Sequence, residues 1–201
     1  MDAPISQVKH VVYVFIGLVL LLIIGPIIAV LPSPRQKEQM DLRHLAKGLG
    51  INIELTSITD PVPKQDKYIS SLGKSLEPIL KVIAYRKARK MPEEWRRATI
   101  VNWAIERRLE SVDDDLPGNW CWVEGGPVTL PMEFFTQLGA ALAVLPDDVE
   151  RVDEMNRVLS VYWHERGDAV AVRCIDQFLD SCAALLNAPP GVGSDDQEDH
   201  S

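Results

Sequence analysis

The chain has 201 residues, 46% of them hydrophobic, with a formal net charge of −8 and three cysteines. That acidity argues against a nucleic-acid binder, which needs a cationic surface to meet phosphates. Cys121, Cys174 and Cys182 are an odd set without C-x-x-C spacing, which excludes an ordinary disulfide framework and fits a reducing compartment.

Residues 11–31 carry no charge. At about 1.5 Å per helical residue the run matches a hydrocarbon core of roughly 30 Å, so it predicts one transmembrane helix. A cleaved signal peptide has a shorter apolar region of about 7–15 residues and a small-residue cleavage site, which Ala29-Val30-Leu31-Pro32 does not offer. Pro26 predicts a kink, and Gly17 and Gly25 stand too far apart for a G-x-x-x-G dimer motif. Lys9 alone precedes the run, whereas Arg35, Lys37, Arg43 and Lys47 follow it. The positive-inside rule then predicts a single-pass protein of the cell membrane with its N-terminus outside. The expected organisation is a short external N-terminus over 1–10, the transmembrane helix over 11–31, a juxtamembrane basic helix over 32–50, a cytoplasmic domain over 51–188 and a disordered acidic tail over 189–201.

Ser33-Pro34 is a helix start, and Leu42, Leu45, Ala46 and Leu49 recur at helical spacing before Gly48 and Gly50, which predicts a helix over 34–48. Residues 51–56 alternate apolar and polar as a half-buried strand does. Asp60-Pro61-Val62-Pro63 marks a loop, and the β-branched and aromatic residues of 79–89 predict a strand running into a basic cluster. Residues 93–111 suit a helix, with Glu93 and Glu94 at its start and Arg107 and Arg108 at its end; a strand over 99–103 is the alternative. A turn at 113–119 leads to a short strand over 120–123, where Trp120 and Trp122 share a face as core or as a partner-binding surface. Pro131 opens a helix closed by Pro146, residues 157–163 favour a strand, and Gly167-Asp168 begins a last helix carrying Val172, Ile175, Leu179 and Leu186 on one face. The expected fold class is α/β or α+β: an N-terminal transmembrane helix followed by one small domain with a mixed sheet and flanking helices.

No reaction is written in these residues. Starting at Asp113, the spacing Asp113, Asp115, Pro117, Gly118, Glu124 approaches a calcium loop, but Pro117 lacks a side-chain oxygen and Gly125-Gly126-Pro127 leaves no exiting helix. His10, His44, His164 and His200 stand far apart, no phosphate-loop motif occurs, and no local sequence pairs a cysteine with His44 or His164. No catalytic residue, metal or cofactor is expected. Residues 81–110 carry nine Lys or Arg against four Glu, whereas 147–201 carry thirteen acids against four Arg. The basic run Arg86, Lys87, Arg89, Lys90, Arg96 and Arg97 is therefore the candidate contact with a partner or with an anionic membrane surface.

Leu31-Pro32-Ser33-Pro34-Arg35 after the apolar run, together with Val161-Tyr162-Trp163-His164-Glu165-Arg166-Gly167 before the last helix, resembles the uncharacterised single-anchor inner-membrane proteins of proteobacteria. The resemblance implies an inner-membrane location and no reaction. The expected function is an accessory or scaffold protein presenting a cytoplasmic domain to a protein partner. The alternatives are a membrane-tethered hydrolase or transferase, and an anionic-lipid or ligand sensor.

Overall fold

The computed structural model describes residues 13–24, 33–63, 66–90, 101–108, 116–126 and 130–185, and the chain divides into two units, 1–40 and 41–201. In the first unit residues 13–24 are helical (α1). Among the described residues no helix is long and apolar enough to cross a membrane. The described length of α1 is about 18 Å at about 1.5 Å per residue, against a hydrocarbon core of roughly 30 Å. This corrects the expected transmembrane helix over 11–31, and with it the single-pass inner-membrane location and orientation that rested on it. Residues 11, 12 and 25–31, with the expected kink at Pro26, lie outside the described residues, as does the acidic tail over 189–201.

Helix α2 (Pro34–Gly48) begins as its sequence dictates. The Ser33 Oγ accepts from the Gln36 amide at 3.3 Å, and the Gln36 side chain accepts from the Ser33 amide at 2.8 Å, a reciprocal cap. In the second unit the elements are β1 (Asn52–Thr59), a short 3-10 turn (Asp66–Tyr68), β2 (Ile79–Ala88), β3 (Trp103–Arg107), β4 (Trp120–Glu124), α3 (Met132–Leu142), β5 (Val149–Met155), β6 (Val158–Trp163) and α4 (Ala169–Ala183). The strands form one sheet in the order β1-β2-β6-β5-β3-β4, antiparallel at every pairing. The fold is α+β, and the expected mixed sheet is corrected. Parallel pairs need a crossover connection; here β5 and β6 join through a tight hairpin, and α3 lies between strands that are not neighbours.

The helix expected over 93–111 is replaced, in its described part, by β3. Trp103, Ala104, Ile105 and Glu106 are all buried, so the strand is covered on both faces and shows no alternation to read. Strand β5 was not expected at all, because Val149-Glu-Arg-Val-Asp-Glu-Met155 is rich in charge. Glu154 is buried against Arg89, and Arg151 lies 3.2 Å from Asp153. Asn156 and Arg157 connect β5 to β6 with φ of 52° and 68°, the two positive angles of the tight turn that matches strand twist.

One sheet face carries the core. Tyr85, Trp103, Ile105, Val152, Leu159, Val161 and Trp163 meet Phe134, Leu138 and Leu142 of α3, Val172, Ile175, Phe178 and Leu179 of α4, and Leu42 and Ala46 of α2. Trp120 and Trp122 belong to this face: the first packs under the Arg107 guanidinium at 4.7 Å, and the second stacks on Phe135. Gly167 is required for space where β6 turns into α4, because a Cβ there would stand 2.5 Å from the Cβ of Ala171. Asp168 then caps α4, accepting from the amides of Val170 and Ala171.

Two ion pairs lock the layers. The side chains of Arg89 and Glu154 are fully buried and meet in two hydrogen bonds, at 2.5 and 2.7 Å. The Trp103 indole donates to the same carboxylate at 3.1 Å, and Arg89 Nη1 also donates to the carbonyls of Ala183 and Leu185 at the end of α4. Arg43 of α2 grips Glu165 in a forked contact, to which the Tyr85 hydroxyl donates at 3.0 Å. Burial and the Glu165 charge raise the Tyr85 phenol far above its usual range, keeping it a donor.

Removing one member of a buried pair strands the other charge, so Arg89→Met should cost about 3–5 kcal/mol in denaturant unfolding. The double variant Arg89→Met/Glu154→Leu should cost clearly less than the two single changes added; additivity would show that the pair is not coupled. Arg157→Gly, which relieves a positive φ, should instead raise stability by about 0.5–1 kcal/mol in the same measurement.

Candidate functional site

Consecutive residues of a strand point to opposite faces, so the basic run in β2 cannot form one cationic surface. Arg86 lies on the sheet face away from the helices, 2.6 Å from Glu54, with its guanidinium 6.0 Å from the Tyr162 ring. Lys87 faces α4, where Asp176 and Asp180 both lie 2.7 Å from its ammonium. Burial pulls the Lys87 pKa down, but the two carboxylates outweigh it and hold the ammonium above its usual value. Arg89 is the buried cation of the α4 lock, which removes it from any surface contact. Lys90 is exposed beside a groove of about 910 Å³. Arg96 and Arg97 lie outside the described residues.

The other sequence candidates are equally scattered. Cys121 and Cys182 are buried and Cys174 is half-buried, and burial pushes the Cys182 thiol well above its usual range. His164 Nε2 lies 3.2 Å from Glu150, and His44 stands on α2. Glu124 of the near-calcium loop ends a strand, Asp113 and Asp115 lie outside the described residues, and no group of His, Cys, Asp or Glu that could hold a metal occurs among the described residues.

What the sequence did not single out is the arm formed by β1 and β2. The last pair between β2 and β6 is Ile83 with Trp163, so Ile79–Val82 pair with β1 only and project past the end of β6. The loop between β1 and β2 is organised around Asp60, a buried carboxylate. Its Oδ1 accepts from the Val62 amide at 2.8 Å, its Oδ2 accepts from the Tyr68 hydroxyl at 2.5 Å, and Lys67 Nζ lies 2.8 Å from Oδ2. The backbone continues the order: the Asp60 amide donates to Pro78 at 2.8 Å, Leu76 to Tyr68 at 2.7 Å, and Gly73 to Ser70 at 2.8 Å.

That ordered frame holds apolar side chains in water. Leu72 is 94% exposed at the apex, and Ile69, Leu76 and Ile79 are also exposed. Exposed apolar side chains on a hydrogen-bonded loop are candidates for a contact, since folding alone gains nothing from them. Below the arm a charged cleft of about 360 Å³ is lined by Asp60, Lys67, Arg107, Glu150, His164 and Arg166 among others. Several of its polar groups are held by neighbours: Arg107 donates to the Pro146 carbonyl, Arg108 to Glu106 and the Arg166 amide to Asp148, and His164 Nε2 lies 3.2 Å from Glu150. The arrangement supplies a polar rim beside an apolar knob.

Burial raises the Asp60 pKa, but the hydrogen bonds from Lys67, Tyr68 and Val62 outweigh it and leave the carboxyl below its ordinary value. A depressed carboxyl contributes its stability above the unfolded pKa of about 3.9 and loses it as pH falls through the folded value. Asp60→Ala should therefore raise the rate of tryptic cleavage after Lys67 and Lys74 by about tenfold at neutral pH while leaving the global unfolding midpoint nearly in place, because local opening and global unfolding are separate events. Unchanged cleavage would mean that Asp60 does not order the loop.

No family model matches the chain, and no curated protein matches it. Among solved structures the chain is similar to the crystal structure of the mycobacterial trehalose monomycolate transport factor A, TtfA, at 11% sequence identity and a TM-score of 0.35, over 74% of this chain and 96% of that one. A likeness at that level assigns this chain to no family.

Proposed function

We propose that the protein is an accessory, partner-binding domain that engages another protein through the apex of the β1–β2 arm. The observation that carries this reading is Leu72, 94% exposed at the tip of a loop whose described part is tied by hydrogen bonds at Asp60, Tyr68, Ser70 and Leu76. A preorganised apolar knob lowers the ordering cost of association, which is where loop-mediated contacts otherwise lose affinity. The charged rim around the neighbouring cleft would set orientation and exclude wrong partners. A scaffold of this kind needs no catalytic constellation. Of the basic run, Arg86, Lys87 and Arg89 are held by carboxylates of this same chain, which leaves fewer cations for an anionic-lipid surface.

A photoreactive side chain placed at Ile69 or at Leu72 in the cell should crosslink to one and the same protein, whereas one at Thr136, on the exposed side of α3, should not. Leu72→Asp should weaken recovery of that protein by about 30-fold, the effect of losing an interface anchor worth roughly 2 kcal/mol. Crosslinks from 69 and 72 no stronger than those from 136 would overturn the proposal.

A further inference from the structure

We infer that the outer edge of β1 is a pairing site for a second copy of this chain, joining two six-stranded sheets edge to edge. Strand β1 has eight residues and hydrogen-bonds on one side only, to β2; among the described residues nothing pairs with its other side. Natural edge strands are blunted by charged side chains (above all Lys), a Pro, a bulge, shortness or a covering helix or loop. Of these, β1 carries one charge, Glu54; Asn52-Ile-Glu-Leu-Thr-Ser-Ile-Thr59 contains no Lys or Pro, and its register with β2 runs without a shift. The opposite edge shows the contrast, since β4 has five residues and its pairing with β3 is broken by a bulge at Ala104/Ile105.

The occupant follows from charge and register. A chain of net charge −8 can pair with itself only where it does not oppose its own acids. The one charge on β1, Glu54, is taken by Arg86 at 2.6 Å, so the edge is effectively neutral. An antiparallel pair about a two-fold axis keeps each sheet face continuous only if residues of the same parity meet. Centred on Leu55, that register sets Leu55 against its own copy, Ile53 against Ser57 and Glu54 against Thr56. No like charges face each other. Leu55 is 73% exposed in the single chain, on the same face as Ile53 and Ile83, and pairing would cover it. This edge is separate from the arm's apex, so a dimer would present two apices at once.

The test uses the full chain. Sedimentation across a range of concentrations should show a monomer–dimer equilibrium, and Leu55→Lys should weaken it by at least 30-fold, whereas Leu72→Lys should leave it unchanged. Opposed residues of an antiparallel pair have Cβ atoms about 4.5–5.5 Å apart, so Leu55→Cys should give a covalent dimer on mild oxidation and Leu72→Cys should not. A chain that stays monomeric, or a dimer insensitive to Leu55→Lys with no crosslink at position 55, would overturn the inference. The crosslink keeps the test decisive even if the lysine variant were to misfold.

Discussion

The buried contact between Arg89 and Glu154 is the constraint on which the domain depends. It joins the residue after β2, the penultimate residue of β5, the Trp103 indole of β3 and carbonyls at and just past the end of α4 in one hydrogen-bonded knot. Each of those groups would be costly to bury alone: a guanidinium, a carboxylate, an indole N–H and unpaired helix-end carbonyls. Together they satisfy one another. The knot therefore contributes register more than net stability, consistent with the modest gain expected of buried ion pairs. The Arg43–Glu165–Tyr85 cluster does the same for α2, held by a glutamate at a φ of 52°, an angle that a side chain adopts only when its surroundings demand it.

The same knot explains why charge misled the reading of the sequence. A run of Arg and Lys looks like a surface, yet strand geometry sends Arg86 and Lys87 to opposite faces, and Arg89 into the interior. The acidic stretch over 147–201 supplies partners for two of them: Glu154 meets Arg89, and Asp176 and Asp180 meet Lys87. Part of the charge asymmetry along the chain is therefore internal pairing.

Where local rules act alone, the sequence was legible. The Ser33 cap, a strand at β1, the start of α3 at Pro131 and the Gly167-Asp168 opening of α4 all appear where their residues predict, although Leu55 of β1 is exposed instead of half-buried. The rest was hidden for physical reasons. Strand β3 is covered on both faces and has no period; β5 is charged because its partners are inside; and an apolar run of suitable length over 11–31 is not matched by a described helix long enough to span. The arm was invisible because its meaning lies in exposure. Nothing in the sequence distinguishes Ile69, Leu72 and Leu76 from buried hydrophobes; their exposure is seen only in the fold.

A rigid body bearing an ordered, apolar-tipped arm is the central claim, and amide hydrogen exchange of the unliganded full chain tests it most directly. The amides of Ile69, Gly73 and Leu76, which donate to Asp66, Ser70 and Tyr68, should exchange far more slowly than freely exposed amides at neutral pH. Their protection should fall away as the pH drops from the ordinary carboxylate value of about 3.9 through the lower value at which the folded Asp60 protonates. Exchange at the rate of an unstructured peptide at neutral pH would contradict the account, because a loop that moves freely holds no preformed surface for a partner.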